Sequence, residues 1–139
     1  MLRIAAALVA WLFLAGFASA AGGLVVVVNT GSGVDGLTRA QAINIFMGRY
    51  KKLPSGISAL PVDENGAKAA FYKTLVGKDL PEIQSYWARL VFSGQGSPPR
   101  QMEHADEVVE IVANNKGAIG YIDKKKVDAR VRVVLDLSQ

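Results

Sequence analysis

From Leu24 to Val28 the chain is unbroken apolar and β-branched, the pattern of a strand covered on both faces. Turn-forming Asn29-Thr30-Gly31-Ser32-Gly33 ends it, and the loop runs on to Gly36. The period then changes. Ala40, Ile43, Phe46 and Met47 recur at helical spacing, Thr38 and Gln41 fit a capping box before them, and Gly48 suits the left-handed residue that closes a helix. A Pro54-Ser55-Gly56 turn leads to a second, short strand from Ile57 to Val62, punctuated by Asp63-Glu64-Asn65-Gly66. Ala67, Ala70, Phe71 and Leu75 mark one face of a second helix closed by Gly77.

Asp79 and Glu82 frame the start of a third helix, with Pro81 at its first turn and Ile83, Trp87, Leu90 and Val91 as its apolar stripe. Ser93 to Pro99 cannot be helix interior, because it carries two glycines and consecutive prolines. A fourth helix is expected from about Asp106 to Asn114, with Val108, Ile111 and Val112 inward, stopped by Asn115-Lys116-Gly117. Ala118 to Ile122 and Val131 to Leu135 read as a third and a fourth strand. Strands alternating with helices predict a single layered α/β domain, its mixed, partly parallel sheet flanked by helices.

The first twenty residues follow another rule. Arg3 precedes an apolar run from Ile4 to Phe17, and Ala18-Ser19-Ala20 has the small-x-small form of a signal-peptidase site. That run is short against the roughly 17–25 residues of a membrane span. Residues 1–20 are therefore expected to be a signal peptide, with residues 21–139 the exported domain; an uncleaved anchor is the alternative. Removal leaves 119 residues (139 less 20), and loss of Arg3 leaves 15 basic residues (16 less 1) against 12 acidic ones. A charge of +3 without a block of like charges gives no nucleic-acid tail, and Lys124-Lys125-Lys126 reads as a solvated turn. With no cysteine, the chain has neither a disulfide framework, nor a thiolate metal site, nor the lipidated residue of a lipoprotein. The expected location is the periplasm, in soluble form.

Catalytic chemistry is poorly supplied. His104 is the single histidine, and Ser93 and Ser97 read as loop serines beside a surface histidine, with no third group to orient them. Asp63 and Glu64 are adjacent, so in an extended segment they point opposite ways and make a poor acid–base pair. The expectation is no enzyme, no metal and no cofactor. Phe46, Phe71 and Trp87 fall on apolar stripes, while Tyr72 and Tyr86 fall off them and are expected to be partly exposed.

Anion binding is better supplied. Asn65-Gly66-Ala67-Lys68 opens a helix where backbone N–H groups and the helix dipole favour negative charge, glycine permits close approach and lysine adds a cation. An ordinary helix start with a surface lysine fits the same stretch. Thr30, Gly31 and Ser32 offer secondary contacts, although Gly31-Ser32-Gly33 has neither a nucleotide fingerprint nor a Walker lysine after it.

Several segments together resemble the phosphate-transporter substrate-binding proteins. Leu37-Thr38-x-x-Gln41-x-x-x-Ile45-Phe46-x-Gly48 is similar to the segment opening their second lobe, and Gly117-Ala118-Ile119-Gly120-Tyr121 to their closing signature. Phe71-Tyr72, Tyr86-Trp87-Ala88-Arg89-Leu90 and Gly94-x-Gly96-x-Pro98-Pro99 fall between them, so the resemblance covers about residues 24–123. It implies one lobe of a type II periplasmic-binding-protein fold, a phosphate or related oxyanion as ligand, and a transporter, a sensor or a homodimer partner. Full-length relatives close two lobes over phosphate. They present to it an arginine and then a Ser-Gly-Thr helix start from this lobe. Here Pro61-Val62-Asp63-Glu64-Asn65-Gly66-Ala67 keeps the glycine, lacks both hydroxyls and the arginine, and adds two carboxylates that would repel phosphate at close range. Two expectations follow: an oxyanion-binding module that holds its ligand weakly by itself, or an interaction or sensory accessory that has lost the ligand.

Overall fold

The computed structural model describes residues 23–138, so the expected signal peptide lies outside the described residues. Five strands form one sheet: β1 (Leu24–Asn29), β2 (Leu60–Glu64), β3 (Arg100–Met102), β4 (Ala118–Asp123) and β5 (Val131–Asp136), in the spatial order β3-β2-β4-β1-β5. β3, β2 and β4 pair in parallel, whereas β1 pairs antiparallel with both β4 and β5. Four helices cover the sheet: α1 (Arg39–Phe46), α2 (Lys68–Val76), α3 (Leu80–Phe92) and α4 (Ala105–Asn114). The layered, mixed, partly parallel α/β domain is thus the observed architecture.

The valine run of β1 serves two cores at once. Val26 and Val28 join Ile119, Tyr121 and Val134 under α1, α2 and α3, while Val25 and Val27 join Val62, Ala118 and Ile122 under α4. Alternate side chains of a strand point to opposite faces, so a strand sandwiched between helix layers must be apolar throughout. β5 sits at the edge, and its register against β1 slips between Val26 and Val27, leaving Val134 as the extra residue. The Val134 carbonyl is not wasted: it accepts from the Leu37 N–H at 2.9 Å, tying the start of the α1 segment to the sheet edge. Beyond β5, the Leu137 N–H donates to the Leu24 carbonyl at 2.9 Å and Ser138 packs on Gly23, so both ends of the described chain meet.

Capping chemistry sets the helix starts. Thr38 Oγ1 accepts from the Gln41 N–H at 3.1 Å and Gln41 Oε1 accepts from the Thr38 N–H at 2.9 Å, completing the expected box. Asp79 caps α3 through the Glu82 N–H, but the reciprocal half is missing because Glu82 pairs with Lys78 at 3.5 Å. Gly48 and Gly77 hold left-handed φ values of 75° and 76°.

Several expectations are corrected. The second strand begins at Leu60 rather than Ile57; the stretch before it forms one bridge, between Lys52 and Ser58. β3 was not expected, because its three residues are polar or half-buried and carry no alternation to read. Ala40 and Ala70 face solvent, and the buried face of α1 is Ala42, Ile45 and Phe46. Val91 is exposed and Leu90 half-buried, since α3 outruns the sheet it covers. In α4 Val109 is buried and Ile111 is half-buried.

The two glycines of the 117–121 segment have packing reasons. A Cβ at Gly117 would lie 2.0 Å from the Ser58 carbonyl oxygen, and one at Gly120 would lie 2.6 Å from Val108 Cγ1. Since the Gly117 carbonyl also accepts from the Leu60 N–H, the 57–60 backbone cannot retreat freely. Gly117→Ala is expected to destabilise the domain by about 1–3 kcal/mol, the usual range for overpacking. Denaturant unfolding of the variant beside the parent checks it.

Candidate functional site

The end of β2 carries the densest polar chemistry of the described chain. Asp63 is 1% exposed, and neighbours on several elements converge on its carboxylate. Oδ1 accepts from Tyr72 Oη of α2 at 2.8 Å and from Tyr121 Oη of β4 at 3.0 Å. Oδ2 accepts from Gln101 Nε2 of β3 at 2.8 Å, with Lys68 Nζ 3.8 Å away. A buried carboxylate is tolerable only when its lone pairs are used in this way. Strand alternation delivers the carboxylate inward and turns Glu64 outward, as the extended segment predicts.

This cluster corrects the expectation for Tyr72, which is fully buried rather than partly exposed. A residue off the apolar stripe still enters a core when its hydroxyl finds an internal acceptor. Tyr86 is half-buried, as expected, its hydroxyl donating to the Met47 carbonyl at 2.6 Å. Burial, and then the Asp63 charge, push both the Tyr72 and Tyr121 hydroxyls far above their ordinary ionisation range. Phe71 lies flat against Tyr121, ring centroids 3.6 Å apart, so the tyrosine pair is locked by stacking as well as by hydrogen bonds.

The expected anion donors follow at once in the chain. The Asn65 N–H donates to the Met102 carbonyl at 2.8 Å, and Asn65 Nδ2 to Glu103 Oε1 at 2.8 Å. The Gly66 N–H donates to Glu64 Oε1 at 3.1 Å, so it already holds a carboxylate oxygen. The Ala67 N–H donates to the Glu64 carbonyl at 3.1 Å, and α2 starts without a side-chain cap. Lys68 Nζ donates to Gln101 Oε1 at 3.0 Å and leans towards Asp63. Asn65 and Gly66 are exposed, Ala67 and Lys68 half-buried.

Thr30, Gly31 and Ser32 lie elsewhere. They follow β1, which runs antiparallel to β4 and hence to β2, placing them at the opposite end of the sheet from Asn65 to Lys68. Their polar groups are largely used: the Gly31 N–H donates to Asn29 Oδ1 at 2.7 Å, and the buried Ser32 Oγ accepts from the Val34 N–H at 3.2 Å. Asn29 in turn donates to the Val112 and Ala113 carbonyls at the end of α4. One small anion therefore touches one of these sets and not both.

Sequence reasoning missed Gln101, which joins Asp63 to Lys68, and the inward role of Asp63. A lone aspartate ending an otherwise apolar strand, with tyrosines on the elements around it, is the signal that was available. Among the described residues no cluster of three or more His, Asp or Glu is arranged to hold a metal ion, and no helix is long and apolar enough to cross a membrane.

No protein-family model matches the sequence, and no curated protein matches it. Solved structures do. An ABC-type phosphate transport receptor from Vibrio cholerae superposes with a TM-score of 0.64 at 19% identity, over 81% of this chain and 45% of the receptor. A putative phosphate ABC transporter substrate-binding protein from Clostridium perfringens, with bound phosphate, gives 0.65 at 20% identity over 81% and 44%. The fold is that of one lobe of a phosphate-binding protein. A possible phosphate binding protein from Planctomyces limnophilus agrees, with a TM-score of 0.57 at 15% identity over 81% and 40%. The chain spans less than half the length of each of these neighbours.

The tyrosine pair has a consequence for pH. A hydroxyl whose ionisation is raised on folding stabilises the protein below its unfolded value, about 10, and that stability is lost as the pH rises beyond it. Of the four tyrosines, Tyr72 and Tyr121 should stay protonated until base unfolds the chain. Absorbance near 295 nm followed against far-ultraviolet dichroism should show their ionisation coinciding with unfolding. Tyr72→Phe should cost about 1–3 kcal/mol, as expected when a buried acceptor loses a partner.

Proposed function

We propose that the chain is an exported solute-binding module that takes phosphate or a similar oxyanion at the start of α2, as a component of phosphate uptake. The observation that carries this reading is the hydrogen bond from the Gly66 N–H to Glu64 Oε1. The helix start holds an anionic oxygen already, supplied by the half-buried Glu64 side chain two residues away, which an external oxyanion can displace. Lys68, fixed by Gln101, supplies the cation beside it. Fold kinship with phosphate-binding proteins supports the ligand class, though kinship alone does not establish function.

On this reading Asn65, Gly66, Ala67 and Lys68 are the ligand-binding residues. The ligand stands in water, since a single lobe cannot enclose it, and charge-assisted bonds are weaker there than in a closed cleft. Affinity by the lone lobe is therefore low. A second surface, from a homodimer partner or from a transporter component, completes the enclosure. The expected location is the periplasm, reached by cleavage after Ala20.

A second reading has its own observation. Glu64 occupies the Gly66 amide and Asp63 offsets the Lys68 charge, so the site is satisfied without any ligand. That is the state expected of an interaction or sensory accessory that has lost anion binding.

Thermal unfolding with millimolar phosphate, against sulfate and chloride at matched ionic strength, separates the two. A ligand that prefers the native state raises the midpoint. A phosphate-selective rise, abolished by Lys68→Glu and enlarged by Glu64→Ala, is the outcome expected of the binding module. An equal response to all three salts overturns it in favour of the accessory.

A further inference from the structure

Away from that site, at the opposite end of β2, a groove of about 330 Å³ opens between the end of α1, the 93–99 loop and the beginning of β2. Phe46, Tyr50, Leu60, Trp87 and Pro98 line it, with Lys51 as its one charged residue. Its floor is rigid. Trp87 is 7% exposed, a Cβ at Gly48 would meet its ring at 2.9 Å, and Tyr86 ties α3 to the Met47 carbonyl beside it. The opening at Gly96 places indole and cation together: a Cβ there would lie 3.7 Å from Trp87 Cζ3 and 3.5 Å from Lys51 Nζ.

The charge around the groove is one-sided. Residues 36–62 and 83–102, which build nearly all of it, contain no aspartate or glutamate. Arg49, Lys51 and Lys52 follow one another around the turn after α1; Arg49 and Arg89 also line a neighbouring depression, where the acid Glu82 is paired with Lys78. Lys51 and Lys52 enter none of the ion pairs among the described residues. Apolar surface also lies outside the cavity, at the end of α3, where Phe92 is 95% exposed and Val91 54%, and Tyr50 on the groove wall is itself 50% exposed. Fully exposed phenylalanine at the end of a helix has no role in this domain's own core.

We propose that this groove docks an acidic, apolar segment of a partner polypeptide, one bulky side chain seated against Trp87 and flanking carboxylates facing Lys51, Lys52 and Arg49. Concavity sets the kind of partner, because a planar lipid surface cannot fill a cleft while a projecting side chain can. The outer apolar patch sets the size, because Phe92 and Val91 lie beyond the reach of a small molecule confined to the cavity. An anchor in a preformed pocket supplies affinity and the cationic rim supplies orientation and speed of encounter. The inference is independent of oxyanion binding at α2, which uses other residues at the other end of the sheet.

The test uses residues 21–139, the form expected after cleavage at Ala20, in which Trp87 is the only tryptophan. The probes are an acetylated hexapeptide, Glu-Asp-Leu-Phe-Glu-Asp-amide, its Gln/Asn isostere, and the form with Leu and Phe replaced by Ala. The acidic apolar peptide should give a saturable change in Trp87 emission, and each control should bind about tenfold more weakly or worse. Lys51→Glu should weaken the acidic peptide by a similar factor, and Phe92→Ala by less, both with the unfolding midpoint kept because both side chains are exposed. Phosphate should leave the signal unchanged. No saturation up to millimolar peptide overturns the proposal, as does equal binding of the neutral isostere. Retention on phosphatidylglycerol vesicles with silence towards all peptides overturns it in favour of a membrane surface.

Discussion

A carboxylate placed where water cannot reach it constrains everything around it. Asp63 sits at the tip of β2, and its partners come one each from α2, β4 and β3, with a lysine at the edge. Without them the charge would cost several kcal/mol and the group would not remain there. The converse is that α2 cannot rotate, β3 cannot detach and β4 cannot slip without stranding an acceptor. The polar cluster therefore fixes where the first turn of α2 begins, and with it the positions of Gly66 and Lys68. Apolar packing by Phe71 against Tyr121 supplies cohesion; the carboxylate supplies register.

Much of this architecture is legible in the order of residues. The valine run announced a doubly covered strand, and Thr38 with Gln41 announced the start of α1, because each depends on local chemistry alone. What escaped depends on partners far along the chain. Tyr72 lies off the apolar stripe, which predicts partial exposure, and is buried because Asp63, nine positions earlier, accepts from its hydroxyl. β3 is held by pairing with β2 rather than by any pattern of its own. The α2 site was legible as a helix start with glycine and lysine, but not that Glu64 would bend back onto the Gly66 amide. That contact depends on a rotamer and a turn, and sequence spacing encodes neither.

The two ends of the sheet hold different chemistry. At the ends of the parallel strands, donors are surrounded by acids and satisfied internally. At the other end the segments that build the apolar cleft carry no acid, and Asp35, in the loop after β1, is paired with Arg132. Strand direction is the reason. β1 alone reverses the run of β3, β2 and β4, so the loop after it is carried away from the first turn of α2, and its Gly33 meets Ser55 in the turn that follows α1. A domain of this size thereby keeps two unlike surfaces apart on the two ends of one sheet.

The meeting of Leu137 with Leu24, and of Ser138 with Gly23, bears on how such a lobe can be used. Both ends of the described chain leave from one spot on the rim, so the lobe hangs from any longer polypeptide as a loop hangs from its base. Splicing it into a host chain requires the host to open by only the width of two neighbouring strands, with no stretch of backbone drawn across the surface. Geometry of that kind makes the unit portable. A unit that can be set into another chain, or lifted out of one, without unpicking its sheet is a natural module for recombination.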